Sequence, residues 1–377
     1  MKKPCSGVVI LALRSLFILS LILYCSTNVL GLPQFRAMFV FGDSIVDDGN
    51  NNYLNSFAKS NYMPYGIDFY QGPSGRFSNG RTIIDLLGEL LGLPYLPAYA
   101  DPLTVGTNIL KGVNYASAAA GILDETGQYL GDRFSLSQQV INFESTLNDQ
   151  LRNQMGEREL SQYLAKSIVV MVLGSNDYIN NYLLPSMYLT SSTYNPKDYA
   201  DLLITRYTAQ ILASHISICA LHNLGLRKFL LAGVGPLGCI PNQLATGLAP
   251  PGKCVSYVND IVGMFNVRLR SLVDQLNANH PGAIFVYGNT YGAFADILNN
   301  PTTYGFNVTD RGCCGLGRNQ GEITCLPLSI PCPNRNQYVF WDAFHPTQAV
   351  NAIIAQRAYT GSPSYCHPIN VKQMAQI

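Results

Sequence analysis

Three side chains of this 377-residue chain have the chemistry that acyl transfer requires. Ser44 lies in the tetrapeptide GDSI, directly after an apolar run, and Asp342 and His345 lie three positions apart near the other end of the chain. A serine hydroxyl is a poor nucleophile until a base removes its proton, and an imidazole base works better when a carboxylate orients it. We therefore predict that Ser44 is a nucleophile, His345 its general base and Asp342 the orienting carboxylate.

Each of these segments also has a purely structural interpretation. An Asp-Ser pair after a strand is usually a turn or a helix cap, and Asp342 and His345 alone could form a hydrogen-bonded pair in a turn. A further polar residue, Asn176, follows another apolar run in the same way that Ser44 does. The combination of all four residues favours catalysis over capping.

The elements that must position these residues are predicted from apolar, β-rich runs that alternate with amphipathic stretches. Strands are predicted at Ala37–Phe41, Gly112–Ala116, Ile168–Leu173, Lys228–Leu231 and Ala283–Tyr287. Helices are predicted at Arg81–Leu91, Tyr199–Asn223, Val255–Asn279 and Tyr291–Leu298, and after Pro346.

Near-continuous apolar strands separated by helices indicate a parallel sheet that is covered on both faces. We predict a single doubly wound α/β domain over residues 32–377. Ligands of such sheets bind beyond the carboxyl ends of the strands. Ser44 and Asn176 are therefore expected to face one crevice.

The first 31 residues are predicted to be a secretory signal peptide. A basic start at residues 2–3 precedes an apolar run, Val8–Leu23, that only Arg14 interrupts, and Val29 and Gly31 are compatible with cleavage. The alternative is an uncleaved signal anchor, but the run is short for a bilayer span and carries a charge. We predict a mature protein that is secreted to the extracellular space or the cell wall, without a stable membrane span.

The charge balance argues against nucleic acid and anionic membranes as partners. Removal of Lys2, Lys3 and Arg14 from the 24 basic residues leaves 21, against 23 acidic residues. A slightly negative chain without a basic block lacks the electrostatic attraction that such partners require.

Eight of the ten cysteines follow the signal peptide, and an oxidising compartment makes disulfides the expected state. No Cys-x-x-Cys pair or Cys/His set of familiar zinc spacing occurs, so no metal is predicted. Cys219, inside a predicted helix, is a candidate free thiol. Asn307 begins an Asn-x-Thr sequon, which predicts a glycosylation site on a surface loop.

Residues 233–238 spell G-x-G-x-x-G after a predicted strand, which is the pattern of some dinucleotide sites. Pro236 and Pro241 oppose a helix that opens there, so a phosphate would lack its helix N-terminus. We predict a rigid turn at this segment and no organic cofactor.

The candidate segments resemble sequence blocks of the plant-type GDSL esterase/lipase family of the SGNH-hydrolase superfamily. The GDSI tetrapeptide is similar to its first block, Gly174–Asp177 to its GxND block and Asp342–Pro346 to its DxxHP block. Two further segments, Gly75–Arg81 and Gly233–Cys239, resemble blocks of the plant branch. The motifs occur in order over nearly the whole mature chain, whereas the G-x-S-x-G elbow of α/β-hydrolases is absent.

The resemblance implies a flavodoxin-like fold and the same roles for Ser44, Asp342 and His345. It also implies an oxyanion hole made by the Asn176 side-chain amide, the Ser44 backbone N–H and a backbone N–H of the glycine block, for which Gly121 is the candidate. Many relatives carry glycines where this chain has Ala118 and Ala119, so the identity of that last donor is open.

We therefore expect a secreted serine hydrolase that cleaves carboxylic esters, either of lipids or of cell-wall polymers, without a cofactor. An acyltransferase that uses the same acyl-enzyme is the alternative within this chemistry. A catalytically inactive binding module is the alternative outside it. The sequence leaves the acyl chain of the substrate open.

Overall fold

The structure is a computed structural model that describes residues 33–212 and 221–377. The predicted signal peptide and residues 213–220, which include Cys219, lie outside the described residues. The helix predicted at Tyr199–Asn223 ends at Ile211 in the structure, and residues 221–223 lie in a turn. The described strands are β1 Met38–Gly42, β2 Gly112–Asn114, β3 Ile168–Val172, β4 Lys228–Ala232, β5 Ile284–Gly288, β6 Val308–Gly312, β7 Tyr338–Phe340 and β8 Cys366–His367. The helices of nine or more residues are α1 Ile83–Leu91, α2 Leu136–Ser145, α3 Glu157–Ala165, α4 Pro196–Ile211, α5 Ser256–Asn279, α6 Thr290–Asn299 and α7 Gln348–Thr360.

The main sheet has six strands in the order β2-β1-β3-β4-β5-β8. The first five are parallel, as predicted, and their order 2-1-3-4-5 is that of flavodoxin-like folds. The edge strand β8 is antiparallel to β5, which differs from the prediction of a purely parallel sheet. With only two residues, β8 has too little periodicity to be recognised from sequence.

Helices cover both faces of this sheet because successive side chains of each buried strand point to opposite sides. Phe39 and Phe41 of β1 pack into a core cluster with α2, α3, α4 and α5. Met38 and Val40 of the same strand pack into a second cluster with α1, α6 and α7. The predicted α/β architecture is therefore confirmed, although α2 and α3 were missed by the sequence analysis.

A smaller sheet of β6 and β7 leads into the segment that carries Asp342 and His345. Three disulfides are present among the described residues, Cys239–Cys254, Cys313–Cys332 and Cys314–Cys325. Cys366 is the free cysteine of the described part of the chain. Asn307 is exposed and lies directly before β6, where a glycan would meet solvent.

Candidate active site

The fold brings the Ser44, His345 and Asp342 side chains into one hydrogen-bonded series. Oγ of Ser44 lies 2.7 Å from Nε2 of His345, although the two residues are 301 positions apart. Nδ1 of His345 lies 2.9 Å from each carboxylate oxygen of Asp342. With the proton on Nδ1, Nε2 can accept the hydroxyl proton of Ser44, which is the arrangement that nucleophilic activation requires.

Ser44 lies in a tight turn at the end of β1. The Asp43 carbonyl accepts N–H groups from Val46 and Asp47, and the Asp43 carboxylate accepts the N–H of Ile45. A Cβ at Gly42 would overlap the Val46 side chain, so this turn depends on glycine. The neighbours of β1 are β2 and β3, so Ser44 emerges where the strand order reverses and where ligands of such sheets bind.

Asp342 and His345 lie in a turn that follows β7. The Trp341 N–H donates to the His345 carbonyl over 2.8 Å, which closes the turn. Oδ1 of Asp342 accepts the backbone N–H groups of Phe344 and His345 at 2.9 and 2.8 Å, so the carboxylate holds the backbone and the imidazole together. Burial alone would raise the pKa of Asp342, but the adjacent His345 ring and these hydrogen bonds hold it below its ordinary value.

The segment Gly75–Arg81 packs against this turn. The Phe77 ring lies 5.0 Å from the His345 ring, and Oδ1 of Asn79 accepts the N–H of Gln348 at the start of α7. The segment is anchored by Arg76, whose buried guanidinium forms two hydrogen bonds with Asp85 in the first turn of α1. These contacts give this sequence block a physical role in holding the imidazole in place.

Sequence analysis missed one direct partner of the carboxylate, Tyr65. Its hydroxyl donates to Oδ2 of Asp342 over 2.6 Å and the side chain is fully buried. Nothing local distinguishes Tyr65 from the other 22 tyrosines of the chain. Only its place in the fold identifies it as a partner of Asp342.

Asn176 lies just beyond β3, next to the loop 117–121. Its Nδ2 donates to the Ala120 carbonyl over 2.9 Å, and its Oδ1 accepts from Nδ2 of Asn180. An amide nitrogen carries two hydrogens, so one remains for a ligand in the crevice. The loop itself is joined to the end of β1 by the Ser117 N–H, which donates to the Gly42 carbonyl.

Three backbone N–H groups lie near this loop without a hydrogen-bond acceptor among residues 33–212 and 221–377. They belong to Ser44, Ala119 and Gly121. The Ala118 N–H is engaged by Asp47 and Asn51, which excludes it as a free donor. Ala119 has a φ of 67°, a left-handed conformation that favours glycine and that the sequence did not reveal. Gly121 and Ala119 are thus both available as donors.

Packing explains why residue 121 is a glycine. A Cβ there would lie 2.6 Å from Oδ1 of Asp177 and 2.5 Å from a Thr126 methyl group. The Asp177 carboxylate accepts the N–H groups of Ile122 and Leu123, so it shapes the end of the same loop. Burial raises the pKa of both Asp177 and Asp47 to about 6. The backbone hydrogen bonds that each carboxylate accepts lower its pKa, but they do not offset the effect of burial.

The described residues include no cluster of His, Cys, Asp and Glu side chains suited to a metal ion. Residues 237–239, after Pro236, form a short 3₁₀ turn and not the start of a long helix. No helix in the described parts of the chain is both long and apolar enough to cross a membrane.

Comparison with known proteins bears on the chemistry of this site. The family model described as GDSL-like Lipase/Acylhydrolase matches residues 38–358. The Arabidopsis thaliana protein GDSL esterase/lipase At1g71250 is 59% identical over 97% of this chain and 95% of its own length. GDSL esterase/lipase At5g08460, also from Arabidopsis thaliana, is 60% identical over 91% of this chain and 88% of its own length. GDSL esterase/lipase 7 from the same organism is 53% identical over 92% of this chain and 93% of its own length.

Proposed function

This chain belongs to the GDSL lipase/acylhydrolase family, and we propose that it cleaves carboxylic esters through an acyl-enzyme formed on Ser44. Its relatives are named as esterases and lipases, so the chain is an ester-hydrolysing enzyme. The observation that carries the proposed mechanism is the unbroken series Ser44 Oγ, His345 Nε2, His345 Nδ1 and Asp342, with links of 2.7 and 2.9 Å.

In the first half of the reaction, Oγ of Ser44 attacks the ester carbonyl carbon while Nε2 of His345 takes the hydroxyl proton. The new imidazolium lies beside the Asp342 carboxylate, which stabilises its positive charge. The oxyanion accepts hydrogen bonds from the Asn176 amide, the Ser44 N–H and one N–H of the loop 119–121. His345 then gives the proton to the leaving alcohol as the C–O bond breaks.

In the second half, a water molecule replaces the alcohol. His345 removes a proton from the water as its oxygen attacks the acyl carbon, and returns that proton to Oγ of Ser44 when the acid leaves. The hydrogen-bonded nucleophile and base oppose the interpretation as an inactive binding module, because binding alone requires neither.

Secretion is the second part of the proposal. The basic and apolar N-terminal segment supports export, and three disulfides suit an oxidising compartment. The exposed position of Asn307 supports glycosylation of its sequon. Expressed in a plant or insect secretory system, the protein should reach the medium or the cell wall without residues 1 to about 31. It should lose mass on deglycosylation unless Asn307 is replaced by Gln, and an uncut protein retained in membranes would contradict export.

A fluorophosphonate probe tests the mechanism. We expect it to label the wild-type protein at Ser44 and to leave Ser44→Ala unlabelled, whereas Ser362→Ala, at an exposed serine, should label as wild type does. Ser44→Ala and His345→Ala should each reduce turnover by several powers of ten, and their double variant should lose little more because both disable the same proton transfer. Undiminished hydrolysis by Ser44→Ala would refute the assignment.

A further inference from the structure

The last residues of neighbouring strands form a continuous row across the main sheet. Val172 of β3 is in register with Ala232 of β4, Ala232 with Gly288 of β5, and Gly288 with Cys366 of β8. Residues in register on paired strands point to the same face of a sheet. All four line a single cavity between this face of the sheet and helices α1, α6 and α7.

The cavity begins beside the candidate active site. Ile45, Ser175 and Phe344 line it, and each is the immediate sequence neighbour of Ser44, Asn176 or His345. The rest of its wall is mainly apolar and includes Phe294 of α6 and Ile354 of α7. The cavity therefore extends from residues next to the reacting groups, which do not themselves line it, toward β8, where Asn289 and Arg357 add polar atoms to a mainly apolar wall.

Small residues in the row create this space. A Cβ at Gly288 would lie 3.5 Å from a Leu230 methyl group and 3.7 Å from the Ala232 Cα, which are ordinary contacts. The backbone of Gly288 is not in the left-handed region, so its conformation does not require glycine. The fold would therefore accept a side chain at position 288, and its absence leaves the cavity open there.

The dimensions of the cavity limit its occupant. Its volume of about 100 Å³ is below the roughly 150 Å³ that admits the six carbons of benzene, so it holds about four carbons without adjustment. From Val172 to Cys366 the row crosses three strand spacings, or about 14 Å. Since an extended alkyl chain advances by about 1.25 Å per carbon, the length permits roughly eleven carbons.

We propose that this cavity binds the acyl chain of the ester, and that the substrate carries an aliphatic chain of about four to eleven carbons and not an acetyl or an aromatic acyl group. This inference rests on the proposed function, because it takes Ser44 as the atom to which the acyl group is transferred. With the carbonyl carbon at Ser44, the chain passes Ile45 and Phe344 and lies over Ala232 and Gly288.

The acyl preference is tested with p-nitrophenyl acetate, butanoate, octanoate and benzoate and the full secreted protein. Each methylene taken from water should raise kcat/KM about fourfold until the cavity is full, so butanoate should exceed acetate by about 15-fold and octanoate should exceed acetate by at least as much. Benzoate should react more slowly than butanoate. A kcat/KM that is flat or falls from acetate to octanoate would overturn the proposal.

Replacing residues of this row tests whether the cavity itself, and not another part of the protein, causes the preference for longer acyl chains. Ala232→Leu should lower the octanoate-to-acetate ratio of kcat/KM by at least about tenfold, because the added methyl groups fill the path of the chain. Ala352→Leu, the same substitution on the exposed face of α7, is the matched control and should keep the wild-type ratio. Gly288→Val is a second variant that should act as Ala232→Leu does. A ratio unchanged in both row variants would overturn the proposal.

A binding measurement distinguishes failure of this proposal from failure of the proposed function. Calorimetry with octanoate and the Ser44→Ala protein should show binding that Ser44→Ala with Ala232→Leu lacks. If the wild-type protein hydrolyses no ester but this binding is found, the cavity is correct and the function is wrong. If esters are hydrolysed but Ser44→Ala does not bind octanoate, the function stands and the acyl cavity is refuted.

Discussion

The hydroxyl of Tyr65 and Nδ1 of His345 both contact Oδ2 of Asp342, at 2.6 and 2.9 Å. Tyr65 and Asp342 are 277 positions apart and both are fully buried. Burial and the Asp342 charge raise the pKa of Tyr65 well above its ordinary value, so the hydroxyl stays protonated and donates to the carboxylate. Tyr65 is thus a positioning residue, since it acts on the imidazole only through Asp342.

Replacement of Tyr65 by Phe should lower kcat about tenfold and leave KM nearly unchanged, because the carboxylate loses one of the bonds that fix its orientation. A buried acceptor that loses a partner costs about 1–3 kcal/mol, so the free energy of unfolding should fall by that order at pH 7. Steady-state kinetics and urea unfolding provide the two readouts. Tyr62→Phe, at a half-buried tyrosine that donates to the Cys325 carbonyl, is the matched control. A Tyr65→Phe enzyme with wild-type kcat would contradict the positioning role.

The stabilising effect of Asp342 should depend on pH in a defined direction. Its pKa is below the ordinary value of 3.8 in the folded protein, so its contribution is present above pH 3.8 and is lost as the pH falls through the folded value. The stability difference between wild type and Tyr65→Phe should therefore shrink in acid. A difference that grows as the pH falls below about 4 would contradict this linkage.

Replacement of Asn176 by Ala should reduce kcat by about 100- to 1000-fold, because it removes one oxyanion donor and leaves the nucleophile in place. Labelling of Ser44 by a fluorophosphonate should slow but still occur. The control is Asn153→Ala, at an exposed asparagine that donates only to the Asp149 carbonyl in the described structure. If Asn176→Ala retains most of its turnover, the oxyanion is held by backbone N–H groups alone.

Asp43, the residue before Ser44, should make the protein less stable as the pH rises. Burial raises the pKa of its carboxyl from 3.8 to about 7, and its Oδ2 has no hydrogen-bond partner among the described residues. Between about pH 4 and 7 the folded state holds a proton that the unfolded state has released, so the free energy of unfolding falls as the pH rises.

Asp43→Asn removes this dependence, so its stability relative to wild type should improve between pH 5 and pH 8 by on the order of 2 kcal/mol. Urea unfolding at the two pH values measures the change. Asp132→Asn, at an exposed carboxylate, tests whether loss of any negative charge has the same effect. If Asp43→Asn is more stable than wild type at pH 5 but not at pH 8, the prediction is contradicted, because the wild-type carboxyl would then stabilise the protein as the pH rises.

The two disulfides near β6 should affect activity as well as stability. The N–H groups of Cys313 and Cys314 donate to the carbonyls of Phe340 and Trp341, directly before Asp342. Loss of the Cys313–Cys332 bridge through Cys313→Ser and Cys332→Ser should cost about 3 kcal/mol of unfolding free energy and should also lower kcat. The bridge Cys239–Cys254 closes a loop of similar length, so its loss should cost similar stability but less activity. Thermal unfolding and kinetics of both variants test this, and a chelator should change neither quantity.

Much of the architecture was determined by the sequence alone. Five strands of the main sheet were recognised because a strand buried on both faces must be apolar at nearly every position, as in Ile168–Val172. Ser44 and Asn176 were placed at one edge of the sheet because each follows such a strand directly. The covalent spacing of Asp342 and His345 likewise brings carboxylate and imidazole together within one turn. These features depend on residues close together in the chain, so a local pattern records them.

The tertiary structure decided everything that depends on which strands are neighbours and how they are aligned. Tyr65 reaches Asp342, and Phe77 reaches the His345 ring, across separations that no local pattern records. The cavity beside Ser44 exists because the small residues Ala232 and Gly288 fall in register on adjacent strands. Strand order and register arise from the packing of the whole core, and a shift of one residue would reverse the face on which each side chain lies. For that reason the acyl preference is a property of the folded sheet and not of any single segment.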